Sequence, residues 1–334
     1  MKKTTAEKTV TLDRFLVQRQ QQVSGASGEL TRVLDQMGVV AKIISSHIRR
    51  AALEGLIGKT GQINVHGEAV KKLDELGNRA FLEAFEYVDM VGAVVSEERR
   101  DPVVLSTDAR REKYVVLVDP VDGSSNLRVD CEVGSVFSIQ AFQGSIDETI
   151  LTRGTEQAAA GYILYGPATV LVYTAGDGLH SFVLDDEIGE FVLDHEDIRI
   201  PEQGTVVSAN VCNYSLWEAP VKWFWDELTA GPKPRHSLRY SGALAADLHQ
   251  ILHRGGIYFY PADQTRPEGK LRLLYECAPL AMVAEQAGGA STTGTQSGLE
   301  VAPQQVHQRI PFAIGSRSEI AAYRNRHQDA QNRL

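Results

Sequence analysis

Two acidic stretches in this 334-residue chain each follow a short valine-rich run. Glu97-Glu98 comes directly after Val94-Val95-Ser96, and Asp119-Pro120-Val121-Asp122-Gly123-Ser124-Ser125-Asn126 follows Val115–Val118. Apolar runs of this length and composition predict buried strands. In open α/β sheets the carboxyl ends of strands are where ligands sit. Four carboxylates converging there would repel one another unless cations were bound. A purely oxygen donor set suits Mg²⁺ or Mn²⁺ better than zinc. Pro120 stiffens the backbone between the aspartates, and Gly123 permits a sharp turn. Ser124, Ser125 and Asn126 are the residue types that cap a helix, whose free N–H groups would face a phosphate. Either stretch alone reads as an ordinary surface turn; together, each after its apolar strand, they make a much sharper signal.

The elements that must position these groups can be read from periodicity. Residues 28–57 and 73–88 carry apolar residues at helical spacing, and further strands are expected at 133–142, 160–164 and 169–173. The acid-rich segment 185–197 reads as loop and strand edge approaching a domain boundary near Pro201, giving domains 1–200 and 201–334. Beyond it come helices at 217–228 and 243–252, strands at 256–260 and 271–275, and a helix opened by Pro279 and closed by Gly288-Gly289. The polar tail after Ala321 is expected to fray.

Composition narrows the function. A formal charge of −9 argues against nonspecific nucleic-acid binding, yet residues 231–275 hold seven Lys and Arg against three acids. A basic island in an acidic chain suggests a local anion site, and an uneven solvated face explains it about as well. No run is long and apolar enough to span a membrane, and Met1–Lys8 leads into no signal-type apolar stretch. With three scattered cysteines, Cys131, Cys212 and Cys277, a reducing cytoplasm is the expected location. Gly58-Lys59-Thr60 has Leu53 where a phosphate-binding P-loop needs glycine. His249 and His253 have the four-residue spacing of zinc-protease ligands, but Gln250 stands where the glutamate base belongs.

Taken with Lys71-Lys72-Leu73-Asp74, Lys113-Tyr114-Val115-Val116, Ala160-Gly161-Tyr162, Arg239-Tyr240, Gly255-Gly256-Ile257 and Lys270–Glu276, the aspartate motif resembles class I fructose-1,6-bisphosphatase over nearly the whole chain. That family lies within the lithium-sensitive, magnesium-dependent phosphatases. The resemblance implies an α+β, layered α-β-α-β-α sugar phosphatase fold with two mixed sheets and flanking helices. It implies hydrolysis of the 1-phosphate of fructose 1,6-bisphosphate, in gluconeogenesis or the Calvin cycle, by a homotetramer holding two or three Mg²⁺ per subunit, with Mn²⁺ as an alternative. Glu97, Glu98, Asp119, the Val121 carbonyl, Asp122 and Glu276 would be the metal ligands, Glu276 at the mouth of the last helix. Asp74 and Glu98, with Glu68, would serve the attacking water. Asp122, Gly123, Ser124 and Ser125 would receive the 1-phosphate. Asn210, Arg239, Tyr240, Tyr260 and Lys270 would hold the sugar and its 6-phosphate, Arg239 reaching in from a neighbouring subunit. The basic island coincides with these last segments.

A second, regulatory site is implied at Gly28, Glu29, Thr31, Lys113 and Tyr114, matching the family's AMP pocket; a plain helix cap explains the Gly28 segment equally well. The family's AMP-contacting arginine aligns near Ala141, so AMP inhibition is expected to be weak or absent. Arg128 and Asp130 depart from the family pattern. Sedoheptulose 1,7-bisphosphate is the alternative substrate, and a weakened sugar-phosphate or AMP-binding regulator the alternative class. Retention of all five acidic metal ligands favours the enzyme.

Overall fold

The computed structural model describes residues 9–56, 59–63, 69–106, 112–230 and 235–332. Eight strands form the larger sheet in the order Glu190–His195, His180–Asp185, Thr169–Thr174, Gln157–Tyr165, Val133–Ala141, Tyr114–Asp122, Val91–Ser96 and Val103–Val104. All neighbours are antiparallel except Val91–Ser96 and Tyr114–Asp122, which run parallel. Alternation along these strands builds two cores. Val94, Val116 and Val118 face the helices Leu12–Gln22, Glu29–Arg50 and Lys72–Phe85. Ala93, Val95, Val115 and Leu117 face the opposite side, against the helices Leu244–Arg254 and Ala278–Gln286.

Those two helices are themselves covered by a second sheet, ordered Ser237–Leu238, Val206–Ser208, Gly256–Tyr260, Phe312–Gly315 and Ala290–Thr292, with parallel and antiparallel pairs. Tyr258, Tyr260, Phe312 and Ile314 point inward at them. Ile257, Phe259 and Ala313 point outward against Trp217, Phe224, Ile320 and Tyr323 of the last helical layer. The layering is therefore α-β-α-β-α with two mixed sheets. The central strands of both sheets are buried on both faces, which is why they read as continuous apolar runs rather than alternating ones.

Several expected elements differ. The strand expected at 271–275 is only Leu271–Arg272, after which Leu273–Cys277 coils into one wide π turn leading into Ala278–Gln286. Glu276 thus stands just before the penultimate helix, not the last one. The chain after Ala321 does not fray: Arg317–Gln331 is a helix, pinned by Ile320 and Tyr323, both about 98–99% buried. The first long helix stops at Arg50. The segment 185–197 is largely a hairpin arm, Glu190–His195, at the sheet edge.

Candidate active site

Asp119 and Asp122 are not in a turn after the strand, as expected, but within it: Tyr114–Asp122 is one strand. Residues three apart in a regular strand face opposite sides. Here the pairing shifts, Asp119 opposite Val136 but Asp122 opposite Gly134, so three steps on one strand match two on the other. That bulge restores a common face to the two carboxylates. Ser135 fastens it by donating its hydroxyl to the Pro120 carbonyl at 2.6 Å. From the other side Gly77, on the helix Lys72–Phe85, is packed so closely that a Cβ there would lie 2.9 Å from Val121 Cγ2. Asp74 is buried and one turn earlier on that helix, hence on the same face as Gly77.

The parallel neighbour supplies the next group. Ser96 pairs with Val118, and the Glu97 N–H donates to the Val118 carbonyl at 3.0 Å, which sets Glu97 and Glu98 beside Asp119. Glu276 arrives from the π turn, its Oε2 accepting the Arg272 N–H at 2.6 Å. Carboxylate oxygens of Asp119, Asp122 and Glu276 all lie within 4.8 Å of one another, and all three residues are buried. Only part of this charge is answered. Arg272 Nε stands 3.4 Å from Glu97 Oε1, and Asp122 Oδ2 accepts the Ala245 N–H at the start of the helix Leu244–Arg254 at 2.7 Å.

Burial pushes Glu97 up to about 7, with Glu98 and Asp122 adding to the rise and Arg272 opposing it. Burial lifts Asp122 to about 6 against the Ala245 and Leu244 N–H groups and Lys270. Burial, then the charges of their neighbours, hold Asp119 and Glu276 well above the ordinary carboxylate range. Such groups keep their protons or exchange them for a cation. An all-oxygen, buried, convergent donor set fits a hard divalent ion.

Gly123 has φ +75°, and a Cβ there would sit 2.5 Å from Ala243 Cβ. It opens not an α-helix but a short 3₁₀ turn, Ser124–Val129, with Ser125 exposed. Asn126 locks this turn by donating to the Glu132 and Ser241 carbonyls at 2.9 and 3.1 Å. Lys270 Nζ lies 5.0 Å above the Tyr260 ring, and the Lys270 charge acts on Asp122 and Glu276, so this pair lies beside the acidic cluster. Asn210 begins the turn Val211–Leu216. Arg239 is exposed and donates to the Leu238 carbonyl at 2.9 Å. Glu68 lies outside the described residues.

Three residues were missed. Arg272 pairs with Glu97. Asp247, fully buried, accepts the Ser241 N–H at 2.9 Å and so holds the end of the Arg239-Tyr240 segment. Asn213 Nδ2 lies 3.4 Å from the Tyr260 hydroxyl. An acid in the first turn of a helix beside a basic island was the available signal for Asp247; Asn213 carried none. Arg128 and Asp130 are both exposed at the rim, Asp130 with φ +54°, and nothing in the structure explains their identity.

Gly28, Glu29, Thr31 and Tyr114 line a separate cavity of about 410 Å³, and Lys113 is exposed next to Tyr114. Ala141 is the cross-strand partner of Tyr114. Arg19 also lines the cavity, but its guanidinium is engaged by Glu196 at 2.8 Å and Asp177 at 3.6 Å.

The family model for the fructose-1-6-bisphosphatase N-terminal domain matches residues 10–196, and that for the C-terminal domain residues 200–328. The chain belongs to the class 1 fructose-1,6-bisphosphatase family. It is 43% identical over 317 residues to the class 1 fructose-1,6-bisphosphatase of Thermosynechococcus vestitus, covering 93% of this chain and 90% of that one. With the class 1 fructose-1,6-bisphosphatase of Oleidesulfovibrio alaskensis it shares 43% identity over 327 residues, covering 94% and 96%. The crystal structure of Leishmania major fructose-1,6-bisphosphatase in holo form superposes with a TM-score of 0.90 at 35% identity, covering 96% of this chain and 99% of that one. Members of this family depend on divalent metal and act on sugar phosphate. No helix among the described residues is long and apolar enough to cross a membrane.

The raised carboxylates make a pH prediction. Their folded values exceed the unfolded carboxylate range of about 4, so between about pH 5 and 8 these groups bind more protons in the native state than in the unfolded one. Their contribution to the stability of the metal-free protein therefore falls as pH rises through that window, while His180, His249, His253, His307 and His327, held below the usual histidine value by burial, contribute the opposite slope up to about pH 7. Thermal unfolding in EDTA should show Tm declining from about pH 7 to 8, above the range in which the buried histidines titrate, and saturating Mg²⁺ should reverse the decline. A metal-free Tm that stays flat or rises would contradict the assignment.

Proposed function

We propose that this chain hydrolyses the 1-phosphate of fructose 1,6-bisphosphate, releasing fructose 6-phosphate and inorganic phosphate. The observation that carries the reading is the buried, all-oxygen cluster Asp119, Asp122 and Glu276 standing beside the Lys270–Tyr260 pair. Glu97, Glu98, Asp119, Asp122, Glu276 and the Val121 carbonyl would hold Mg²⁺ or Mn²⁺. The ions, when bound, supply positive charge that stabilises the attacking and departing oxygens.

The chain's own groups do the rest. Asp74 and Glu98 accept the proton of the attacking water, and Glu68 assists. Backbone N–H groups at Gly123, Ser124 and Ser125 receive the 1-phosphate, and Gly123 keeps that approach open because a side chain there would strike Ala243. Tyr240, Tyr260, Asn210 and Lys270 hold the sugar and its distal phosphate, so binding energy far from the reacting bond orients it. Arg239, exposed on its own subunit, reaches a neighbour's site, which is the basis for proposing a homotetramer. The boundary between domains 1–200 and 201–334 lies at the Pro201 segment, and a cytoplasmic location accords with three free cysteines. AMP, bound at Gly28, Glu29, Thr31, Lys113 and Tyr114, inhibits weakly because Ala141 brings no charge and Arg19 is committed to acids.

Asp119→Asn should lower kcat with saturating Mg²⁺ by at least about 10²–10³-fold, as loss of a group that stabilises transition-state charge does. Phosphate release from purified protein measures this, and a variant near wild-type rate would remove Asp119 from the site. Arg239→Ala should raise KM for fructose 1,6-bisphosphate about 10–100-fold, the loss of a charge-assisted contact of about 1.5–3 kcal/mol. A monophosphate lacking the distal group should be affected far less. Equal loss on both would assign Arg239 to assembly, and a higher kcat/KM for sedoheptulose 1,7-bisphosphate would transfer the substrate assignment to that sugar.

A further inference from the structure

His249 and His253 stand one turn apart on Leu244–Arg254, the helix enclosed between the two sheets, and the phosphatase chemistry gives them no role. The fold adds a third imidazole from a distant element, His195 at the end of the edge strand Glu190–His195. The His253 ring centroid lies 4.8 Å from that of His249 and 5.8 Å from that of His195. Two imidazoles on one tetrahedral ion have centroids about 5 Å apart, given metal–nitrogen bonds of about 2.0–2.1 Å.

A second observation is independent of that spacing. His249 Nδ1 lies 2.7 Å from the Tyr162 hydroxyl, and His195 Nδ1 lies 2.7 Å from Asp194 Oδ2. In His195 the carboxylate accepts the Nδ1 proton and leaves Nε2 for another partner; in His249 the same tautomer follows when Nδ1–H donates to the Tyr162 oxygen. That is how histidine ligands are fixed in tautomer and direction in metal sites. The helix also ends here, and its carbonyl end favours positive charge.

We propose that His195, His249 and His253 form a binding site for a nitrogen-seeking divalent ion, Zn²⁺ or Cu²⁺, distinct from the oxygen-lined acidic cluster. The three nitrogens are not gathered as tightly as the oxygens of Asp119, Asp122 and Glu276. Closing the site around the half-buried His249 takes rotation of the exposed His253 and of the exposed His195 together with its Asp194 partner. The ion ties the edge of the large sheet to the helix whose other end holds Asp122 through the Ala245 N–H.

The test adds one equivalent of Cu²⁺ to the Mg²⁺-saturated protein and reads the electron paramagnetic resonance spectrum. Splitting by at least two imidazole nitrogens is expected, which the all-oxygen cluster cannot produce. His253→Ala and the surface variant His195→Asn should each reduce the number of coupled nitrogens and weaken Cu²⁺ binding at least tenfold. Zn²⁺ at a hundredfold excess over its Kd should raise Tm by about 3–6 °C in wild type and not in the variants. Oxygen-only coupling in wild type, or a nitrogen coupling and a Cu²⁺ affinity that are unchanged in either variant, overturns the proposal.

Discussion

Like charge gathered out of water is the constraint around which this molecule is arranged. Asp119, Asp122 and Glu276 are each under a tenth exposed, and Glu97 leans on the same space. Placing carboxylates there costs solvation and mutual repulsion, which a fold tolerates only if protons or cations take up the charge. The surrounding elements do not neutralise the cluster. Among the described residues the Arg272 guanidinium, the Lys270 ammonium and a few backbone N–H groups meet it, enough to fix directions and fewer in charge than the carboxylates.

Each device in the fold serves that placement. The bulge turns two aspartates to one face, and the single parallel strand pair among the described residues of the large sheet delivers Glu97 to the same end. The π turn, wider than an α-helical one, delivers Glu276 from the other half of the chain. Gly77 and Gly123 leave out side chains where the helix Lys72–Phe85 and Ala243 press against the aspartate strand. Because these groups come from elements on both sides of Pro201, the cluster also couples the two halves of the molecule.

Much of this was legible in the sequence, and for physical reasons. Valine runs doubly buried in a sheet look continuous, so Val115–Val118 and Val94-Val95 announced their strands, and acids at strand ends announced a site. Resemblance supplied Glu276, Arg239 and Lys270, which no local pattern ties to Asp119. What was missed depends on long-range packing. The bulge at Pro120 cannot be told from a turn without the partner strand. The π turn at Leu273–Cys277 hides inside an apolar run that looks like more strand. Arg317–Gln331 has a polar sequence and is helical because Ile320 and Tyr323 find a core made by Phe224 and Phe259. Arg272 acts on Glu97, distant in sequence, so only its placement reveals it.

The central claim is that the buried carboxylates exchange protons for divalent ions. Calorimetric titration of the metal-free protein with Mg²⁺ near pH 6.5, repeated in buffers of different ionisation enthalpy, counts the protons released on binding. Groups held near 6 and 7, with others higher, must release about one or more protons per site filled. Binding enthalpies that do not change with buffer would mean the cluster is already ionised without metal, and the account would be wrong.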